Sequence, residues 1–372
     1  MAIFSKLTIP LYLLTAAASF VGVSSTSQPK GPYSKASGYD FHPSTAGIQT
    51  AELIDPLPLA YDFNTSNSAV ADATNSWWSS SFITGSDNHQ YLLLAHAMTT
   101  TSFSVYRGSI YDITEAAFKQ FSVETSQNLT ANSSDGKFNI QTSDFFFGSA
   151  LADNSITRLR TAANHTDVQF DLTYALDAPV ILNTGIGGLF QFGNDQTAEW
   201  SMPAGKTTGW LTFDGRNVSV NMESSQTWYD RQWNVGPATS GMTWTWFQLH
   251  LSNKINEQSD ILSVWSYNSD VKGHRQWATT QSAAGLNLVQ PVRSVSPLGS
   301  SWSSPHTNIT YDQAWTVTLQ DNTCLTVKTT YEDQELCTTG FATYEGFVTV
   351  TGTDAFGESV TGYGLVEVQG SS

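Results

Sequence analysis

Thr227-Trp228-Tyr229-Asp230-Arg231-Gln232-Trp233, followed by Thr243-Trp244-Thr245-Trp246-Phe247-Gln248-Leu249-His250-Leu251, holds four of the chain's twelve tryptophans. Read as strands, alternate residues face opposite sides of a sheet. Trp228, Asp230 and Gln232 then share one face, and Tyr229, Arg231 and Trp233 the other. In the second segment Trp244, Trp246, Gln248 and His250 share a face, while Phe247, Leu249 and Leu251 make an apolar one. Aromatic walls with a carboxylate, two amides and an imidazole have the composition of a ligand pocket. The alternative is two Trp-rich core strands whose Asp and His are satisfied structurally.

Working outward, the chain reads as short β-type runs split by turn clusters. Trp77–Ile83 and Tyr91–His96 flank the polar turn Gly85-Ser86-Asp87-Asn88, a hairpin signal. Asp214-Gly215 joins Trp210–Phe213 to Val218–Asn221 in the same way. Similar runs continue to Leu365–Val368. Helical periodicity is confined to Ile113–Phe121. Many short strands with few helices predict an all-β protein of sandwich or barrel type. The length of 372 residues suits two such units, with boundaries expected at 58–225 and 226–372.

Ahead of them, Lys6 precedes an apolar run from Leu7 to Val23 that ends in small residues, the pattern of a secretory signal peptide over 1–23. A Ser, Gly and Pro rich lead-in follows over 24–57. No later segment is long and apolar enough to span a membrane. Six Asn-x-Ser/Thr sequons, at Asn64, Asn128, Asn132, Asn164, Asn217 and Asn308, fit a secreted or otherwise secretory-pathway glycoprotein. In an oxidising compartment Cys324 and Cys337 are expected to pair across a hairpin, the alternative being two thiols.

The formal net charge is −16, from 32 acidic against 16 basic residues, and only 13% of residues are charged. That balance argues against nucleic acid and against anionic membrane surfaces as partners. The nucleophile elbow, the His-Glu-x-x-His zinc motif, the phosphate-binding loop and the dinucleotide fingerprint are all missing. Seven scattered histidines and two cysteines give no classical zinc site, and no cofactor is implied. Acid–base or shape catalysis on a small apolar ligand remains. Oligomeric state is left open.

Trp228–Trp233, preceded by Ser76-Trp77-Trp78 and by Glu199-Trp200-Ser201-Met202-Pro203, resembles the kievitone hydratase group of fungal secreted proteins. That group belongs to a wider superfamily with carotenoid hydratases (hydroxyneurosporene synthases) and fungal lipocalin-like Diels–Alderases. The resemblance runs from about Trp77 to Tyr363. It implies two lipocalin-like β-barrel or β-sandwich domains with a pocket between or inside them. Asp230 matches the acid of the carotenoid enzymes. Arg231 stands where they place a His, so a relay through that neighbour is not carried over, and Asn234 replaces a usual Gly.

Adding water to a prenyl double bond fits these residues. A carboxylic acid protonates the alkene, and water captures the tertiary cation. Burial against Trp228, Trp244 and Trp246 would keep an acid protonated, and their ring faces would stabilise the cation. Asp230 is the expected proton donor; alternatively it holds Arg231 or a turn. Asp87, near His89, and Glu199 are the other candidate acids, with turn and ion-pair roles as their alternatives. Gln248, His250 or Tyr229 could position water, although alternation puts Tyr229 on the face away from Asp230. Of Trp77, Trp78 and Trp200, at least one is expected to line the cavity. His96 reads as a satisfied core histidine. The leading expectation is a secreted, cofactor-free hydratase acting on a prenylated aromatic such as an isoflavonoid. The alternatives are a pericyclase of a fungal secondary-metabolite pathway and a non-catalytic binder of apolar ligands.

Overall fold

The two tryptophan-rich segments become strands that lie close in sequence but belong to different sheets. The computed structural model describes residues 39, 41, 63–126, 138–152, 155–176, 180–185, 188–193, 195–235, 241–253, 259–282, 286–337 and 341–370. Residues 38–372 cluster as one unit. Among the described residues, helix is limited to one turn, α1 (Phe63–Ser66), and a 3-10 turn at Met222–Ser224. No helix among them is long and apolar enough to cross a membrane.

The first sheet begins with β1 (Ala73–Thr84), β2 (Gln90–Thr99), β3 (Ser104–Asp112) and β4 (Ala117–Thr125). It continues with β5 (Asn139–Gln141), β6 (Phe145–Ser149), β7 (Arg158–Asn164), β8 (Gln169–Ala175), β9 (Ile181–Leu182) and β10 (Leu189–Phe192). It ends with β11 (Asp195–Phe213), β12 (Arg216–Ser219) and β13 (Gln226–Val235). Its main path runs β4-β3-β2-β1-β13-β11-β8-β7-β6-β5. β11 is where this sheet curls. Its first half pairs with β13, and the ladder shifts register between Met202 and Gly205. Beyond the shift it pairs with β8. Pro203 sits in that irregularity, where a missing N–H does least harm to the ladder.

The second sheet starts with β14 (Met242–Asn253), β15 (Ser259–Ser269), β16 (Gly273–Gln281) and β17 (Asn287–Pro297). A small ribbon, β18 (Ser301–Ser303) and β19 (Thr310–Asp312), stands apart. The sheet resumes with β20 (Ala314–Leu319), β21 (Cys324–Thr329), β22 (Glu335–Cys337), β23 (Ala342–Thr353) and β24 (Ser359–Gln369). Its order is β21-β20-β17-β16-β15-β14-β24-β23, and β21 also pairs with β23. Eight strands thus close into a barrel, which removes their edges.

Three apolar clusters follow from alternation. Phe247, Leu249, Val264, Val317, Val327 and Val350 belong to one that fills the barrel interior and takes in Tyr311 of the β18–β19 ribbon. Trp77, Trp200 and Tyr229 belong to one inside the curl of the first sheet. Trp78, Trp228, Trp244, Trp246 and Trp265 belong to the third, which joins the two sheets. The all-β, barrel-containing architecture is the one the strand pattern and the resemblance implied.

Three sequence expectations meet the structure differently. β13 hydrogen-bonds to β1 and β11, so the change of sheet falls between residues 235 and 242, one strand later than 225/226. The expected helix at Ile113–Phe121 is a turn and the start of β4. Asp112 Oδ1 accepts from the N–H groups of Thr114 and Glu115, Ala116 takes a φ of 54°, and Ala117 onward pairs with β3. Cys324 and Cys337 are free thiols, not a disulfide. Cys324 pairs with Thr353 and Cys337 with Ala342. Those partners lie at opposite ends of β23, roughly 36 Å apart at strand rise, beyond the reach of a disulfide. The expected signal peptide lies outside the described residues, as does the lead-in apart from Tyr39 and Phe41. Asn128, Asn132 and the side chain of Asn64 lie outside them too, whereas Asn164, Asn217 and Asn308 are exposed.

Candidate active site

A row of residues directly across five neighbouring strands builds one wall of the site. Arg107 on β3 pairs with His96 on β2, which pairs with Trp78 on β1. Trp78 in turn pairs with Asp230 on β13, and Asp230 with Ser201 on β11. Side chains two residues along from this row, Ser76, Met98, Gln232 and Glu199, share its face. The facing wall is the outside of the barrel, where Trp265, Trp246, Glu367 and Glu345 form a row across β15, β14, β24 and β23. Between the walls lies a cavity of about 290 Å³, lined by both sets except Ser201 and Glu345, together with Trp244, Phe192 and Thr343.

Asp230 and Glu199 both open onto this cavity. Asp230 Oδ1 accepts a hydrogen bond from the Trp228 indole at 2.8 Å. Burial pushes the Asp230 carboxyl up to about 7, although Ser201 and Trp228 favour its ionised form. Glu199 Oε1 accepts from Asn183 Nδ2 at 2.6 Å, while its buried Oε2 makes no hydrogen bond of good geometry; Trp265 and Asn183 both favour the ionised form. Burial first, then the fields of Asp230 and Glu367, hold Glu199 well above the carboxylate range. Its backbone is also fixed closely. Glu199 N–H donates to the Gly188 carbonyl at 2.9 Å. Gly188 has a φ of +67°, and a Cβ there would lie 2.0 Å from the Glu199 carbonyl oxygen, so only glycine fits.

The far end of the cavity is polar. Arg107 Nε donates to His96 Nδ1 at 2.9 Å, and its two terminal nitrogens donate to Thr343 Oγ1 and Glu345 Oε1. Because His96 Nδ1 accepts, the imidazole proton sits on Nε2, 2.9 Å from Ser76 Oγ. Burial and the Arg107 charge hold His96 well below its ordinary value, so it is neutral. Burial, then Glu367 directly across the ladder, raises Glu345 well above the carboxylate range, against the pull of Arg107. Glu367 Oε1 accepts from the Trp244 indole at 2.6 Å.

The structure sorts the sequence candidates. Asp230, Glu199, Trp78, Trp244 and Trp246 line the cavity, and Trp228 supports Asp230 from behind. Gln248 and His250 share the face but lie deeper. Gln248 donates to Ser80 Oγ at 2.6 Å, and His250 stacks on Tyr363. Trp77, Trp200 and Tyr229 point into the other core, where they bond to Asn67 and Ser66 of the α1 region. Arg231 lies on that side as well, donating to the backbone carbonyls of Ser66 and Ser68. Asp230 therefore does not serve to hold it. Asp87 stays in its turn, accepting from Tyr91 Oη at 2.7 Å and facing Arg216 at 3.4 Å; it is remote from the cavity lining. His96 is satisfied, as expected of a core histidine, yet it lines the cavity.

Sequence reading missed Arg107, Glu367 and Glu345. Their signal was a lone charge inside an apolar strand, as in Val366-Glu367-Val368, a position that a charge occupies only with partners. Among the described residues, no group of three His, Cys, Asp or Glu is placed to hold a metal ion.

A family model described as AttH-like matches residues 94–371. The chain is similar to kievitone hydratase of Fusarium solani subsp. phaseoli, with 37% identity over 336 residues, 89% of this chain and 91% of that protein. It is also similar to the dehydratase asqC of Emericella nidulans, with 30% identity over 342 residues, 89% of this chain and 94% of that one. The crystal structure of kievitone hydratase from Nectria haematococca superposes with a TM-score of 0.79 at 30% identity, covering 90% of this chain and 99% of that chain.

Proposed function

This chain belongs to the AttH-like family, and we propose that its inter-sheet cavity is the active site of a hydro-lyase that adds water to an alkene. The observation that carries this reading is a pair of buried carboxyl groups, Glu199 and Asp230, opening on one aromatic cavity in different hydrogen-bonding states. Likeness to a hydratase and to a dehydratase supports the reaction class, since both directions use the same acid and base.

Two carboxyls whose surroundings differ divide into an acid and a base. The proton-donor role that the sequence suggested for Asp230 suits Glu199 better. Burial and the fields of Asp230 and Glu367 favour the protonated form of Glu199, whereas the hydrogen bonds from Ser201 and Trp228 favour the ionised form of Asp230. Glu199 gives that proton to one alkene carbon, and the π electrons form the new C–H bond, leaving a tertiary cation. Water donates a lone pair to the cation, and Asp230 takes the proton that water loses. Return of that proton to Glu199 through solvent completes the cycle, with one water added. The faces of Trp78, Trp244 and Trp246 stabilise the cation.

The finer reading is a prenylated aromatic substrate of isoflavonoid type, supported by the ring-lined cavity and by the hydratase relatives. A pericyclase or a passive binder would leave the buried Glu199–Asp230 carboxyl pair without a task. Export through the secretory pathway is part of the same proposal, supported by the sequence of residues 1–23 and by the exposure of Asn164, Asn217 and Asn308. A mass loss on endoglycosidase treatment of the exported protein tests that part. The reaction is tested by mass spectrometry of prenylated isoflavonoids incubated with the protein in ¹⁸O-labelled water. One labelled oxygen per product, absent with Glu199→Gln, supports it; an unchanged prenyl chain overturns it.

A further inference from the structure

The hydro-lyase reading uses the Glu199–Asp230 end of the cavity and leaves the Arg107 end without a task. Arg107 is the single basic side chain among the cavity-lining residues apart from the neutral His96. It is 1% exposed, and a buried guanidinium is kept only where its charge is used or matched. Its plane is fixed on all sides. His96, Thr343 and Glu345 each take one hydrogen bond, and the Phe341 ring covers one face at 4.8 Å. A guanidinium carries five N–H groups. Among the described residues three are engaged, and Arg107 lines the cavity.

We propose that Arg107 is the specificity-determining residue of this cavity, receiving an oxygen on the aromatic ring of the substrate while the alkene side chain lies against Glu199 and Asp230. This rests on the hydro-lyase reading and adds the residue that reads the ring oxygen of the prenylated aromatic proposed above. A carboxylate or phosphate ligand is disfavoured, because Asp230 and Glu367 line the same cavity and would repel a full negative charge. A phenolic oxygen offers acceptor lone pairs with little or delocalised charge. The spacing agrees. Arg107 and Asp230 stand three strand spacings apart in one register row, about 14 Å between backbones. The Arg107 side chain leans into that gap, its Nε reaching His96 on the next strand toward Asp230. The tryptophans between them supply the ring's apolar surroundings. Arg107 positions substrate here; it is not a proton-transfer group.

The test is binding, read by quenching of tryptophan fluorescence, with 4-prenylresorcinol and prenylbenzene as probes. Hydrogen bonds to a buried charged group are worth enough for the ring oxygens to tighten binding to the wild type by about 10- to 100-fold. Arg107→Lys keeps the charge but loses the planar fork, and Arg107→Met loses both. In each, the two probes should bind with nearly equal affinity, and KM for the hydroxylated probe should rise more than kcat falls. Equal affinity of the two probes for the wild type overturns the proposal whether or not either variant folds. Undiminished discrimination in a folded variant overturns it too. Because the readout is binding, discrimination without any ¹⁸O incorporation would uphold the Arg107 role while removing the hydration reading.

Discussion

Glu199 and Asp230 stand diagonally on neighbouring strands. Glu199 pairs with Gln232, and Asp230 with Ser201, so the two carboxyls share a face two residues out of step. Diagonal neighbours of this kind lie about 7–8 Å apart, enough for an alkene and a water between them. Positioned acids and bases each contribute about 10²- to 10⁴-fold. Glu199→Gln and Asp230→Asn should each lower kcat by that order while leaving probe affinity within a few-fold of wild type. Initial rates and fluorescence titration measure the two quantities. A variant that keeps a third or more of the wild-type rate would remove that residue from the chemistry.

The rate should depend on pH in a direction set by the division of roles. Asp230 must be ionised to accept a proton, and its carboxyl sits at about 7, so kcat/KM should rise with pH through that value. Glu199 must keep its proton, so the rate should fall again at higher pH. Trp228→Phe removes the indole N–H that favours the Asp230 carboxylate. The rising limb should then move to higher pH while the falling limb stays. A shift to lower pH, or a profile that falls through 7, would exchange the roles of the two acids.

Period-two alternation made much of this site legible. It placed Asp230 with Trp228, separated Tyr229 and Arg231 from them, and gave β14 one barrel-filling face and one outward face of Trp244 and Trp246. It could not say which of the adjacent Trp77 and Trp78 met the ligand, because adjacent residues always split between faces and only pairing decides which face is inside the curl. Trp200 has the same history beside Glu199. Arg107, Glu345 and Glu367 were illegible for another reason. They meet the cavity across more than 230 residues of sequence separation in the Arg107–Glu345 pair, and no local pattern encodes that closure. The turn at 113–116 misled because Ile113–Phe121 spaces its apolar residues as a helix would, while Asp112 folds the chain into a hairpin.

Reduction should leave stability unchanged. Cys324 and Cys337 anchor opposite ends of β23 through its ladders, so no covalent loop is lost when reductant is added. The melting temperature with and without dithiothreitol should agree within about 1 °C, whereas loss of a native disulfide typically costs 2–5 kcal/mol. Thiol labelling of the native protein should modify the exposed Cys324 ahead of Cys337. A melting temperature that drops on reduction would mean that the two strands sit elsewhere.

Stability itself should fall as the solution is made more alkaline from near-neutral pH. Glu199, Glu345 and Asp230 are all raised in the folded state, chiefly by burial. Each therefore contributes stability that is whole below the ordinary carboxylate range and lost as pH rises through its folded value, because the folded chain holds more protons than the unfolded one. His96 and His250 act oppositely. Their folded values are lowered, His250 to about 3, so the unfolded chain takes up their protons below about 6.5 and acid destabilises. Above 6.5 the histidines no longer oppose the carboxyls, and the melting temperature should decline between pH 6.5 and 8.5. Glu345→Gln mimics the protonated acid and keeps an oxygen for Arg107, so it should flatten that decline. An equally steep decline in the variant would mean that Glu345 is already ionised at neutral pH, paired with Arg107 as a conventional buried salt bridge.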